Sequence, residues 1–381
     1  MKPYRFSALL LSLLLFLAPC FPTKAAVKCS ARGAVVMEAT SGVTLYEKNG
    51  DLPLPEASTT KIMTALLVLE RADLSATVTV SERAASVEGS QLGLTAGEEL
   101  SVRDLLYVLM MKSGNDAAVA LAEGVCGTEE KFVEEMNGKA AELGLKDTVF
   151  RNSHGLPAEG HRTTARELAE LTAVALENEI FRELVSTQRA RLTYKDMIIA
   201  NSNKLLYTCE GVFGVKTGYT KAAGRCLVSA AERKGVTLIC VTLNDGNDWQ
   251  DHADLYDACF GRVSRKEVIS QGAYRTSVPL LSGEEPAPLR NSLPLTCITV
   301  DGVPLPYKEE VHTVPMLFAP VEEGVTLGEI RLVSARGRRV DRSPLNTLRA
   351  VEQKKEERTF FGSFPLKLRK LWRTITSGTA S

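Results

Sequence analysis

The sequence predicts an α/β (α+β) unit, a small all-β domain behind it and an amphipathic helix at the C-terminus. Three observations carry this. Strand-like alternation at both ends of residues 27–263 brackets a long helical stretch, so one sheet must be built from distant segments. After residue 263 the pattern turns proline-rich and strand-like. Near the end, Phe361, Phe364, Leu368, Leu371, Trp372 and Ile375 fall within an arc of about 100° on a helical wheel.

Taken in order, the chain opens with Lys2 and Arg5 ahead of a short apolar run, residues 8–18. This is the make-up of an export signal, too short to span a membrane. Cleavage is expected after Ala25 or Ala26, so residues 1–26 are set apart from the folded protein. Cys20 offers a lipoprotein alternative, which Pro19 directly before it argues against. Residues 28–50 alternate as two short strands joined by a turn at Thr40–Gly42. From 58 to about 188 apolar residues recur at helical spacing. Thr128 with Glu129 and Glu130 opens one helix, Gly144 stops it, and Thr163 or Thr164 caps the next. Three strand-like runs follow from 211, and residues 248–263 read as a closing helix. Residues 264–345 form the small β domain, and 346–381 a charged linker with the amphipathic tail.

Composition excludes little. Lys+Arg and Asp+Glu both number 46, so a nucleic-acid role lacks its basic excess. Seven of the eight cysteines lie beyond the export signal, an odd number. Cys226 and Cys240 sit on two runs separated by a turn, and a hairpin there would set them side by side. They read either as a disulfide or as two small core residues. His154, His161, His252 and His312 are scattered, and no Cys or His spacing resembles a metal site. The tail's Lys367, Arg369, Lys370 and Arg373 lie outside its apolar arc. A basic amphipathic helix of this kind suits an anionic membrane surface; the alternative is packing on the β domain.

Chemistry concentrates in three places. Ser58 and Lys61 are three apart, hence on one helix face. A serine hydroxyl needs a neighbouring base to act as nucleophile, and lysine is a base only when neutral. Burial and a second cation both lower a lysine's pKa. Ile62, Met63 and Leu66 supply burial; the cation must come from elsewhere. Backbone N–H groups at the helix start would suit an oxyanion. Ser113-Gly114-Asn115 interrupts a helical run and puts either a hydroxyl and an amide into a cleft or a cap on a turn. Lys216-Thr217-Gly218 lies on a strand and offers charge, hydroxyl and open backbone to a carboxylate. Lys216 is also a candidate for the missing second cation.

Each motif alone is weak, but the ordered set resembles the low-molecular-mass penicillin-binding proteins, the serine-type D-alanyl-D-alanine carboxypeptidases of peptidase family S11. The likeness runs from about residue 28 to the tail and includes residues 39–67, 150–171 and 201–245. It implies a β-lactamase/transpeptidase-like fold: a five-stranded antiparallel sheet with an inserted helical cluster. It implies Ser58 as acyl-ester nucleophile, Lys61 as general base and Ser113 as proton relay to the departing D-alanine. Asn115, Lys216, Thr217, Gly218 and Tyr219 would bind substrate. The oxyanion hole would use the N–H groups of Ser58 and Tyr219, and Thr220, Asn152 and His154 would shape the pocket. The implied partners are peptidoglycan stem peptides ending in D-Ala-D-Ala, and β-lactams as covalent inhibitors. No cofactor is implied. Three rivals use the same motifs: a β-lactamase, a D,D-endopeptidase and a non-hydrolytic penicillin-binding sensor. Gly114, where class A β-lactamases typically carry aspartate, and the lack of a recognisable deacylating glutamate weigh against the first.

Overall fold

The computed structural model describes residues 27–354. The expected export signal and amphipathic tail lie outside these described residues. Strands β1 (Gly33–Glu38) and β2 (Thr44–Lys48) are followed by a long helical excursion, and the chain returns as β3 (Val212–Thr220), β4 (Gly224–Arg233) and β5 (Val236–Leu243). The five strands pair antiparallel in the order β2–β1–β5–β4–β3. β3, which carries Lys216, is therefore an edge strand.

The main helices are α1 (Lys61–Arg71), α2 (Val102–Tyr107), α3 (Asn115–Cys126), α4 (Glu129–Glu142), α5 (Ala165–Ala175), α6 (Glu179–Ser186) and, after the sheet, α7 (Asp248–Phe260). Their starts follow capping chemistry. Thr128 accepts from Lys131 N–H and Thr164 from Glu167 N–H, satisfying donors the first turn leaves open. Gly144, at φ 74°, ends the α4 segment where an L side chain would be strained.

Both faces of the sheet are covered, as strands apolar on both sides require. Val35, Met37, Cys226, Val228, Ala230, Ile239 and Val241 pack toward α1, α5 and the helical cluster. Ala34, Val36, Leu227, Leu238 and Cys240 pack with Leu255, Tyr256 and Cys259 of α7. This parity decides between the two cysteine readings: Cys226 and Cys240 are both buried core residues, but they do not lie side by side. Across β4 and β5 Cys226 faces Leu243, and Cys240 faces Ser229. The two thiols belong to cores on opposite faces, and a strand's alternation forbids a disulfide between them.

The α7 helix stops at Phe260, because Val263–Ile269 already pairs with Leu295–Val300. A five-stranded sheet follows, ordered Arg275–Val278, Ala287–Asn291, Arg339–Thr347, Thr326–Ser334, Tyr307–Thr313. Its core is Val278, Leu289, Ile330, Leu332, Leu345 and neighbours. Pairing runs past the boundary expected at 345: Val351 bridges to Val321 and Lys354 N–H donates to Ser282 at 2.7 Å. This domain is tied back by Ser334 Oγ on Thr40 O at 2.8 Å and by Arg338 Nη1 on Ala39 O at 3.1 Å.

Candidate active site

Ser58 lies on a 3-10 turn, Ala57–Thr60, that runs directly into α1 at Lys61. The turn is held by Thr59 Oγ1 on Glu56 O at 2.7 Å and Thr60 Oγ1 on Ala57 O at 2.8 Å. Ala57 takes φ 51°, a left-handed conformation costly for an alanine, which throws Ser58 outward. Two glycines let other backbone press against this turn. A Cβ on Gly155 would sit 1.9 Å from Ala57 O, and one on Gly218 would sit 3.0 Å from Ser58 N. The β3 edge therefore runs against the Ser58 amide, and a side chain at 218 would crowd that approach.

Lys61 is fully buried, yet its amine has three neighbours: Ser58 Oγ at 3.0 Å, Asn115 Oδ1 at 2.7 Å and His154 O at 2.6 Å. Two of these are pure acceptors. A neutral amine has two N–H donors and one lone pair. With the donors spent on Asn115 and His154, the lone pair is left for the Ser58 hydroxyl. The electrostatics agree. Burial holds the Lys61 ammonium well below its ordinary range, Lys216 pushes the same way, and Asp116 opposes. Lys216 is the second cation that the sequence called for.

Ser113 closes a widened, π-helical turn, Val108–Lys112, at φ 61°, and is half-buried at the cleft. Asn115 starts α3 but does not cap it. Its carbonyl takes Lys61, and its Nδ2 donates to Glu88 O at 2.6 Å. Asp116, next along, accepts from Leu92, Gly93 and Leu94 N–H at 2.9, 2.9 and 3.2 Å, pinning the 88–94 loop over the helix start.

Ser58, Ser113, Thr217, Gly218 and Tyr219 line one cleft of about 300 Å³. Lys216 does not: it is 2% exposed, its amine is folded onto Thr217 O at 2.9 Å, and burial pushes its ammonium down to about 7. The three pocket-shaping expectations also change. Asn152 Oδ1 accepts from Gly155 N–H at 2.6 Å, and its Nδ2 donates to Leu156 O, so its amide holds a loop. His154 contributes its carbonyl to Lys61, while burial lowers its ring's pKa to about 4. Thr220 accepts from Ala223 N–H and lines a neighbouring hollow with Glu56 and His161. Sequence reasoning missed Ser90, Lys112, Ser202, Arg225, Asp248 and Trp249, which complete the cleft wall. For Arg225 a signal existed, since the β3–β4 hairpin pairs it with Tyr219. For Asp116 none did, since its partners lie more than twenty residues upstream.

A serine activated by a buried lysine, a polar turn and a lysine-bearing strand edge thus share one site. The sequence matches the family model for D-alanyl-D-alanine carboxypeptidase, peptidase S11, over residues 21–247. The chain belongs to that family. It is 36% identical over 315 residues to D-alanyl-D-alanine carboxypeptidase DacF of Bacillus subtilis (strain 168), covering 79% of this chain and 81% of that one. It is 31% identical over 370 residues to D-alanyl-D-alanine carboxypeptidase DacC of Escherichia coli (strain K12), covering 92% and 91%. Its fold resembles that of a peptidoglycan synthesis regulatory factor, PBP3, from Streptococcus pneumoniae, with a TM-score of 0.68 at 23% identity, covering 85% and 100%. As a family member this is a low-molecular-mass penicillin-binding protein, and its fold is the mixed sheet-and-helix one expected, with a β domain appended.

Proposed function

We propose that this protein removes the terminal D-alanine from peptidoglycan stem peptides ending in D-Ala-D-Ala, through an acyl-enzyme on Ser58. The observation that carries the proposal is the buried Lys61 amine, 3.0 Å from Ser58 Oγ with both its N–H donors engaged elsewhere. Lys61 takes the hydroxyl proton as Ser58 Oγ attacks the carbonyl carbon of the penultimate residue. The amide N–H of Ser58 and that of Tyr219, brought close by Gly218, stabilise the oxyanion. The departing D-alanine amine needs a proton, and Ser113 relays it. Thr217, on the cleft wall, faces the terminal carboxylate, while Asn115, buried with Oδ1 on Lys61 and Nδ2 on Glu88 O, holds the base and not, as expected, the substrate. Water then attacks the ester, with Lys61 again as base, and the shortened peptide leaves. β-Lactams acylate the same oxygen.

The export signal and the basic amphipathic tail support a place on the outer face of the cytoplasmic membrane, with the tail on an anionic lipid surface. No described helix is long and apolar enough to cross a membrane.

The test is release of free D-alanine from a diacyl-Lys-D-Ala-D-Ala peptide, with and without penicillin, beside Ser58→Ala. Release that penicillin blocks and Ser58→Ala lacks is the expected result. Covalent penicillin labelling at Ser58 without release would favour the endopeptidase or the sensor. Rapid turnover of penicillin itself would favour the β-lactamase.

A further inference from the structure

We infer that Cys29, Asp245 and Asp251 form a zinc-type divalent metal site that clamps the segment before β1 to the start of α7. The site lies outside the catalytic cleft, and the inference is independent of the carboxypeptidase reading.

Spacing along the chain conceals this cluster, because its members come from three places. Cys29 precedes β1, Asp245 follows β5, and Asp251 lies in the first turn of α7. Gly33 of β1 pairs with Leu243 of β5, and this register brings the segments together. Cys29 Sγ and one carboxylate oxygen from each aspartate lie within 4.8 Å of one another. All three residues are buried, and Asp245 is only 1% exposed. Two carboxylates in so dry a place repel unless a proton or a cation lies between them. The surrounding hydrogen bonds do not remove that need. Ser30 Oγ touches both Asp245 Oδ1 and, at 2.9 Å, Asp251 Oδ2, but it has a single proton to give. Ser30 N–H donates to Asp251 Oδ2, and Asn247 N–H donates to Asp245 Oδ1 at 3.0 Å. Asp245 Oδ2 is buried with no hydrogen-bond partner among the described residues. No basic side chain there acts on either carboxylate.

The donor set selects the metal. A thiol beside two carboxylates suits zinc, which takes sulfur and oxygen ligands in a tetrahedron, whereas calcium and magnesium take oxygen alone. Ligand atoms around tetrahedral zinc stand about 3.3–3.6 Å apart, so atoms already within 4.8 Å close on it by small side-chain rotations. Ser30 Oγ or a water completes the fourth position. Burial, and then the two carboxylates, push the Cys29 thiol up to about 11, and burial raises the Asp245 carboxyl. A divalent cation reverses both effects: the S–Zn bond forms as the thiol proton leaves to solvent. The ligands are also held from outside. Asn247 Nδ2 donates to Asp251 Oδ1 at 3.1 Å, and Lys48 Nζ donates to Cys29 O at 2.7 Å. The same first turn of α7 carries Asp248 and Trp249 of the cleft wall, so a metal here steadies one side of the active site.

In the test, purified protein is freed of metal with EDTA and kept reduced with a phosphine. It is titrated with zinc against a chromophoric chelator and with cobalt by absorbance, and thermal melts are recorded with and without zinc. The chains compared are the unaltered protein, Cys29→Ser, Asp245→Asn and Cys126→Ser, the last altering a half-buried cysteine at the end of α3. The unaltered protein should bind one zinc with a Kd tighter than about 10 µM, show a thiolate-to-cobalt charge-transfer band and melt several degrees higher with saturating zinc. Cys126→Ser should behave in the same way. Cys29→Ser should lose the cobalt band and at least about 100-fold in zinc affinity. Asp245→Asn keeps an oxygen for Ser30 and Asn247 and removes one of two crowded charges, so it folds whether or not Cys29→Ser does; its melting temperature should gain nothing from zinc. Binding by the unaltered protein weaker than about 10 µM would overturn the inference and leave the two aspartates sharing a proton. Zinc held equally well by Cys29→Ser, or cobalt bound without the thiolate band, would place the metal elsewhere and overturn it too.

Discussion

Replacing Lys61 separates the chemistry of this site from its stability. In Lys61→Met the side chain keeps its length and loses its amine. Asn115 Oδ1 and His154 O, both buried, then lose a donor each. Each orphaned acceptor costs about 1–3 kcal/mol. Against this, the amine no longer has to be stripped of water, so the net loss should be about 2 kcal/mol. For a chain of this size that lowers the melting temperature by roughly 4–8 °C and leaves a folded protein. Catalysis should suffer more. A positioned general base contributes about 10²–10⁴-fold, or about 3–5 kcal/mol of barrier. The assay is the rate of covalent labelling by a fluorescent penicillin, beside a thermal melt. Lys61→Arg supplies the control: it keeps donors and charge but cannot become a neutral base. Both variants should label at least about 100-fold more slowly than the unaltered enzyme. Near-normal labelling of a folded Lys61→Arg would refute the neutral-base reasoning, because only electrostatics would then be needed.

Gly218→Ala places a methyl 3.0 Å from Ser58 N and 3.1 Å from Glu56 O, so β3 must retreat. Acylation should fall about 100-fold as the oxyanion donors separate, with a stability loss of about 1–3 kcal/mol; unchanged labelling kinetics would count against the two amides as a pair. Asp116→Asn removes the carboxylate that raises the Lys61 pKa. The acid limb of the acylation pH profile, where Lys61 gains its proton and stops acting as base, should shift to lower pH. Stability should also fall as the 88–94 loop loosens, read by a thermal melt. His252 is buried between Ser229 and Thr242, and burial lowers its pKa to about 3. The unfolded chain binds this proton near 6.5, so stability is full above that pH and declines as pH falls toward 3, by up to about 5 kcal/mol. His252→Gln should flatten part of that slope in melts between pH 7 and 4. With Cys226 and Cys240 on opposite faces, dithiothreitol should leave the melting temperature unchanged.

What the sequence determined by itself was whatever local periodicity and short spacing encode. Ser58 and Lys61 share a face because three residues make nearly one helical turn, and the 3-10 start preserves that neighbourhood. The strands at both ends, the caps at Thr128 and Thr164, and the return to β structure after 263 follow from alternation and capping chemistry. The ordered motifs pointed to one site, and the edge position of β3 makes a meeting possible. Tertiary structure decided the rest, because it depends on contacts between distant residues. That Asn115 holds Lys61 and does not cap α3 depends on a contact 54 residues away in sequence. That Lys216 lies beneath the cleft wall, and Arg225 on it, depends on how β3 and β4 pack against the Ser58 turn and α7. The two cysteines proved to be core residues and not a disulfide for a related reason: a hairpin fixes neighbourhood, but register and parity fix the face. Burial made the last decision. A lysine among apolar residues is ordinary in a sequence; only the packed core shows that its amine is buried against two acceptors and one hydroxyl.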